Sequence, residues 1–333
     1  MGEHRVALVG AGRIGRLHAG AASKVERLSV VAVADPALDA AEELAAAVGC
    51  DALGDWRELL GRDDVDALLL CSPSGAHAEQ IRAAAEAGKH VFCEKPIASD
   101  LAAADEAVEA ATSAGVVLQI GYNRRFDRSL AALRDAVASG GVGDPVLVRI
   151  TARDPEPPSR TYLSHTPGLF VDTTSHDLDL VRYLTGREIV EVSATAASLV
   201  SADARELGHA DTAVTTVVLD TGALGVIDNC WCSSYGYDQR FEVHGTRSTA
   251  EVGNAARDTV RSADAAGLHS SPPPHFFVER YGPTFTAELE AFAGALDGGP
   301  TAVSGHDGRQ ALAAALAAAV SAKERRPVRL DPP

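Results

Sequence analysis

Apolar residues follow two rhythms along this chain. In the first third, short continuous apolar runs alternate with stretches whose small and apolar residues recur every three or four positions. The runs lie at 5–10 (Arg-Val-Ala-Leu-Val-Gly), 28–35, 66–71, 90–96 and 116–121. Runs of that length suit strands buried on both faces of a parallel sheet. The stretches 14–23, 37–48, 56–60, 77–87 and 99–113 read as helices, with Gly88 closing the fourth as a C′ residue. After Tyr122-Asn-Arg-Arg-Phe126 and a helix reaching about Ala138, the rhythm changes. Longer segments at 146–152, 191–200, 212–219, 223–232 and 240–245 read as antiparallel strands, and Asp220-Thr-Gly222 marks a hairpin turn.

Between the first two of those strands lie a Pro-rich loop, 153–158, and a helix over 172–184. Leu178, Val181 and Leu184 give that helix its apolar spacing and Gly186 ends it. Residues 254–280 read as a loop containing Ser271-Pro-Pro-Pro274. Two Ala-rich helices follow near 284–297 and 307–323, then the tail Arg326-Pro-Val-Arg-Leu330. The expected fold class is α/β: a doubly wound, Rossmann-type parallel sheet in residues 1–122, then a substrate-binding and oligomerisation α+β domain in residues 123–333, whose C-terminal helices have the alternative of packing back on the first domain. The boundary falls near 121–125 with no flexible linker.

At 333 residues there is room for two full cores. No apolar run reaches the roughly 20 residues of a membrane helix, and the N-terminus runs directly into a strand, which points to the cytoplasm. Thirty basic against 46 acidic residues, net −16, oppose binding to nucleic acid or an anionic membrane. The five cysteines are odd in number and lack the paired spacing of a zinc site, so buried free thiols are expected.

The candidate chemistry begins at Gly10-Ala-Gly12-Arg13-Ile14-Gly15. This G-x-G-x-x-G is a weak signal alone, but it follows a strand, opens a helix, and is succeeded by a second strand ending in Asp35. Gly10 permits the tight turn, Gly12 lets a pyrophosphate approach the backbone, and Gly15 lets helix pack on strand. Asp35 at that strand end accepts ribose hydroxyls and repels a 2′-phosphate, which favours NAD and disfavours NADP. Ser72, Pro73, Glu94 and Lys95 fall at the carboxyl ends of later strands, where open parallel sheets bind ligands. Lys95 is one of only four lysines, against 26 arginines, and lysine differs from arginine in that its pKa can be tuned. A surface lysine at a strand end is the plainer reading. His77 reads as the start of its helix.

Asp172, His176 and Asp179 at i, i+4 and i+7 share a helix face. Locally, Asp172 also fits as a helix cap and His176 as a structural histidine. The H-D-x-D pattern invites a metal, but no second His/Cys cluster at ligand spacing supports one, so no metal is expected.

With both halves read, the sequence resembles the Gfo/Idh/MocA oxidoreductases, and within them the bacterial inositol 2-dehydrogenases. The resemblance spans essentially the whole chain. It rests on the glycine loop, Cys71-Ser-Pro-Ser-Gly-Ala-His77, Glu94-Lys-Pro96, Gly121-Tyr-Asn-Arg-Arg-Phe-Asp127, Asp172-x3-His176-Asp-x-Asp179, Tyr235-Gly-Tyr-Asp238 and the closing Arg326-Pro-Val-Arg-Leu330. It implies a second domain with a large open, mainly antiparallel sheet, and assembly as a homodimer or homotetramer. It also implies a catalytic trio of Lys95, Asp172 and His176, and contacts to a polyol, or to the border of its pocket, from Arg125, Asp154 and Tyr237.

Hydride transfer from a secondary alcohol to a nicotinamide needs a base for the hydroxyl proton, and an imidazole titrates near neutral pH. The expected activity is NAD-dependent oxidation of a ring hydroxyl on a cyclitol such as myo-inositol. The alternatives are an NAD(P)-dependent sugar oxidoreductase or ketose reductase of the same family and, from a different class, a non-catalytic NAD-sensing regulator. Thr166-Pro167-Gly168, Ser175 and Ala152 depart from inositol dehydrogenases at positions expected to line the pocket, which leaves the substrate open.

Overall fold

The computed structural model describes residues 3–331; the reading of the chain start at Met1 and Gly2 lies outside them. The chain divides into two compact units, Met1–Phe126 with Pro283–Leu312, and Asp127–Gly282 with Ala313–Pro333. Among the described residues no helix is long and apolar enough to cross a membrane.

The first unit is built on strands β1 (His4–Val9), β2 (Leu28–Ala34), β3 (Asp51–Leu53), β4 (Ala67–Leu70), β5 (His90–Glu94) and β6 (Leu118–Gly121). They pair in parallel in the order β3-β2-β1-β4-β5-β6. Helices α1 (Arg13–Ala22), α2 (Leu38–Val48), α3 (His77–Glu86) and α4 (Leu101–Ala114) make the crossovers. Leu8, Leu68, Leu69, Leu70 and Phe92 are fully buried, the pattern of strands covered on both faces. The strand order reverses between β1 and β4, so the crevice at their carboxyl ends is where such a sheet takes a ligand. β3 escapes the hydrophobic pattern because three residues are too few to set a period. The segment expected as a helix at 56–60 is a 3₁₀ turn, Trp56–Gly61, with the Asp55 side chain accepting from the Arg57 N–H.

The second unit carries a seven-stranded sheet. Its strands are β7 (Pro145–Arg153), β8 (Ile189–Ala197), β9 (Thr212–Leu219), β10 (Leu224–Cys230), β11 (Asp238–Gly245), β12 (Thr249–Val252) and β15 (Val328–Arg329), in the order β12-β11-β7-β10-β9-β8-β15. Every pairing is antiparallel except β7 with β10, which is parallel. β9 and β11 alternate buried and exposed residues, so one face is packed and the other open. Helix α5 (Arg128–Ala138) lies against α7 (Ser175–Thr185), and α7 packs on β7. Gly225 permits a close approach, since a Cβ there would stand 2.6 Å from Val217 Cγ2.

Four further expectations are corrected. The region 254–280 holds an exposed hairpin, β13 (Arg261–Asp264) with β14 (Gly267–Ser270). Helix α9 starts at Phe277 rather than near 284 and continues to Leu296 through Pro283. Pro283 forfeits one helical hydrogen bond, yet the turn before it is anchored by Arg280 on Asp127 and by the buried Tyr281. The strand expected at 191–200 stops at Ala197, because Asp211 captures the N–H groups of Leu199, Val200 and Ser201 and turns the chain into the short helix α8 (Ala202–Glu206). Of the free cysteines only Cys93 is buried; the rest are half-buried. The last long helix, α10, spans Gly305–Glu324.

Candidate active site

In the first unit the glycine loop has the geometry its spacing implies. Gly10 holds φ +104° against β4's carboxyl end, where a Cβ would come within 2.7 Å of the Cys71 carbonyl oxygen. A Cβ on Gly15 would stand 1.9 Å from the Gly10 oxygen, which no side chain survives. A Cβ on Gly12 would meet no protein atom within 4 Å, so this stretch of backbone is open to approach. Gly12 is also the N-cap of α1, with no side-chain cap and no acid in the first turn, which leaves the N–H groups there for an anion. Arg13 and Ile14 form that first turn. Asp35 does more than expected: its Oδ2 accepts from the Ala11 N–H and its Oδ1 from the Ala37 N–H, each at 2.8 Å. The acid thereby shapes the loop and also brings negative charge to the end of β2.

The other strand ends are tied together by a residue that local reading assigned only to a helix start. His77 does open α3, but its buried ring also spans Ser72 and Pro96, with Nε2 2.9 Å from the Ser72 oxygen and Nδ1 2.8 Å from the Pro96 oxygen. Burial pushes this imidazole below its ordinary pKa, against the pull of those two carbonyls. A neutral ring donates to one carbonyl and presents a lone pair to the other. Ser72 in turn donates its hydroxyl to Gln80 Oε1 at 2.6 Å. The segment Ser72-Pro73 and the cis-linked Lys95-Pro96 are thus joined through one side chain. Glu94 ends β5 half-buried, its Oε2 accepting from the Lys95 N–H at 3.2 Å. Lys95 follows, also half-buried. Arg125, expected at the polyol, lies 3.1 Å from Asp307 Oδ1 within this unit.

In the second unit the stretch around His176 is not one regular helix. Phe170–Thr174 forms a π-helical turn, and α7 begins at Ser175. This corrects the capping reading of Asp172, which sits inside the wound segment, its N–H donating to the Gly168 oxygen. Its carboxylate is instead held from outside: Tyr162 OH donates to Oδ2 at 2.8 Å, and Thr166 Oγ1 lies 3.4 Å from the same oxygen. Tyr162 stands on the single turn α6 (Arg160–Leu163), which Ser159 caps. Asp172 and His176 are both half-buried, whereas Asp179 is buried.

Beneath them a polar floor fixes the turn. Asn229 on β10 accepts from Thr174 Oγ1 and donates to Asp177 Oδ2, both at 2.7 Å, and Trp231 Nε1 donates to Thr173 Oγ1 at 2.9 Å. Ser175 does not line an opening: it is fully buried and its hydroxyl bonds the Val171 oxygen at 2.7 Å. Ala152 is likewise buried on β7. Asp154 follows β7, its N–H donating to the Cys230 oxygen. Tyr237 is buried, edge-on to Phe276 and Tyr281.

Among the described residues, the group of His, Cys, Asp and Glu close enough to share a metal is His18, Glu94 and Glu288, all in the first unit. His18 Nε2 and Glu94 Oε1 are 2.6 Å apart, a hydrogen-bond distance. Two donors bound to one zinc at about 2.0–2.1 Å stand roughly 3.3 Å apart in a tetrahedron. The pair is therefore set as a hydrogen bond and not as a ligand pair.

Comparison with known proteins agrees with both halves. The family described as "Oxidoreductase family, NAD-binding Rossmann fold" matches residues 4–122, and the "GFO/IDH/MocA C-terminal domain" matches residues 130–251. The myo-inositol 2-dehydrogenase of Thermotoga maritima is 41% identical over 329 residues, covering 98% of each chain. The inositol 2-dehydrogenase of Rhizobium meliloti is 38% identical, covering 97% of this chain and 98% of its own. A crystal structure of scyllo-inositol dehydrogenase from Lactobacillus casei, with bound NAD(H) and scyllo-inositol, superposes with a TM-score of 0.92 at 27% identity over 98% of this chain and 99% of that one.

Proposed function

The chain belongs to the Gfo/Idh/MocA oxidoreductases and carries their NAD-binding Rossmann domain, and from that premise we propose that it oxidises a secondary ring hydroxyl of a cyclitol, myo-inositol or a close relative, to the ketone. The observation that carries the reading is the arrangement at Asp172 and His176: an imidazole one turn beyond a carboxylate that is itself gripped by Tyr162. Relatives named as inositol 2-dehydrogenases, similar from end to end, point to the same substrate class.

Bound NAD supplies the hydride acceptor. The carbon gives up its hydrogen with both bonding electrons, and the hydroxyl proton goes to the His176 imidazole. Asp172 orients that ring and stabilises the imidazolium. Lys95 donates a hydrogen bond to the same substrate oxygen while negative charge develops on it. Arg125, Asp154 and Tyr237 are assigned to the polyol or the border of its pocket.

The test is spectrophotometric: NADH formation with a panel of inositol isomers and pyranoses, with NADP in parallel. Turnover of at least one inositol with NAD is expected, falling by two to four orders of magnitude in His176→Ala, the range of a lost general base. Oxidation of pyranoses in preference to every inositol overturns the substrate assignment. A loss of only a few-fold in His176→Ala or Lys95→Ala overturns the roles given to those side chains.

A further inference from the structure

A buried ionisable cluster in the first unit sets two residues with no role so far, His18 and Glu288, beside Glu94. Glu288 on α9 is fully buried, and among the described residues neither of its carboxyl oxygens has a hydrogen-bond partner. Its Oε1 is 4.0 Å from Nε2 of His18, a fully buried residue of α1. That same Nε2 meets Glu94 Oε1 at 2.6 Å. The rings of Phe92 and Phe285 stand edge-on to the imidazole at 5.0 and 5.6 Å and fix its plane. Gln119 Nε2 donates to the Glu288 backbone oxygen at 2.8 Å, which fixes the helix behind the carboxyl.

The groups that face the Glu288 carboxyl are His18 from α1, Glu94 from β5 and the Cys71 thiol beyond β4. Among the described residues no lysine or arginine joins them. An ionised carboxylate here would be desolvated, without a donor, and opposite a second carboxylate. Burial first, and then the charge of Glu94, push the Glu288 pKa well up. A neutral Glu288 leaves Glu94 as the hydrogen-bonded partner of His18 Nε2, across 2.6 Å.

We propose that Glu288 is a neutral carboxylic acid in the folded protein and that His18 is a positioning residue for Glu94. The cluster holds Glu94 Oε1, so that Oε2 is presented to the Lys95 N–H and against Gly121, where a Cβ would come within 3.2 Å of that oxygen. It thereby links the helix that follows the glycine loop to the strand end that carries Lys95. The consequence falls on cofactor binding and on proton linkage, and it holds whichever hydroxyl compound the enzyme oxidises.

The test uses the full chain labelled with 13C at glutamate Cδ. A carboxyl resonance at the position of the neutral acid, unmoved between pH 5.5 and 8 and missing from Glu288→Gln, is expected. Sign and size follow from linkage: native Glu288 keeps a proton that the unfolded chain releases. The folding equilibrium constant of the wild type therefore falls tenfold per pH unit relative to Glu288→Gln, above the ordinary glutamate pKa and up to the raised one. For positioning, His18→Ala raises the Kd for NAD about tenfold by calorimetry and alters its pH profile. His18→Gln, which keeps a donor, recovers most of the affinity. A titrating resonance in the wild type, together with stability curves that stay parallel, overturns the neutral acid. His18→Ala that binds NAD as the wild type does, or His18→Gln no better than His18→Ala, overturns the positioning role.

Discussion

The Tyr162 hydroxyl donates to Asp172 Oδ2 across 2.8 Å, from a single helical turn to a carboxylate inside a π-helical turn. Tyr162 keeps 41% of its surface exposed, so its hydroxyl contributes orientation more than burial. Replacing it with phenylalanine removes this hydrogen bond and almost no volume. Tyr162→Phe is expected to lower kcat roughly three- to tenfold, which corresponds to the net ~1 kcal/mol of such a bond, with thermal stability nearly unchanged. Steady-state kinetics beside a melting curve reads both, and an unchanged kcat removes Tyr162 from the orientation of Asp172.

The floor under that turn makes a different demand. Asn229 is 1% exposed and Asp177 is fully buried, and the amide that joins them also accepts from Thr174. Alanine at 229 deprives a buried carboxylate of a donor, at a cost of about 2–3 kcal/mol of folding free energy. Urea unfolding at neutral pH measures it. A loss below about 0.5 kcal/mol means that Asp177 is held without Asn229.

Two glycines of one loop separate folding from binding. Gly15→Ala forces a Cβ into the Gly10 carbonyl and is expected to destabilise the first unit by about 3 kcal/mol or more. Gly12→Ala meets no protein atom and keeps an ordinary φ of −71°, so the fold stands. Its methyl group intrudes where a pyrophosphate approaches the backbone, and the Kd for NAD rises roughly tenfold or more. Calorimetric titration with NAD decides it: unchanged affinity in Gly12→Ala places the phosphates elsewhere.

These relationships differ in how far they can be read along the chain. The parallel sheet is legible because strands buried on both faces leave continuous apolar runs, and the glycine loop because each glycine answers to one steric need. The open sheet is legible in the alternation of β9 and β11. The π-helical turn is not, since a template of i, i+4 and i+7 presumes an α-helix throughout and left a helix cap open as a local reading of Asp172. Tyr162 lies in a stretch with no periodicity at all. Glu288 sits in an Ala-rich helix whose pattern reports only packing, and the side chains of His18 and Glu94 near its carboxyl come from α1 and β5. Pro283 misled in the other direction: its local cost is real, but Arg280 and Tyr281 hold the helix on the far side of it.

Asp211 gives the second unit a pH dependence of definite sign. Burial alone would raise its carboxyl pKa, but the N–H groups of Leu199, Ser201 and Val200 and the Thr212 hydroxyl all donate to it and carry it below the ordinary value. The native state therefore binds this proton less readily than the unfolded chain. The stability it contributes is complete above the unfolded pKa of about 4 and is lost as pH falls through the lowered native value. Asp211→Asn keeps one acceptor and loses the charge, so it is less stable than the wild type at pH 6, and the gap between them narrows as the pH falls below 4. Melting temperatures of both proteins from pH 6 to pH 3 test this. A gap that stays constant, or widens, shows that those N–H groups do not hold an ionised carboxylate.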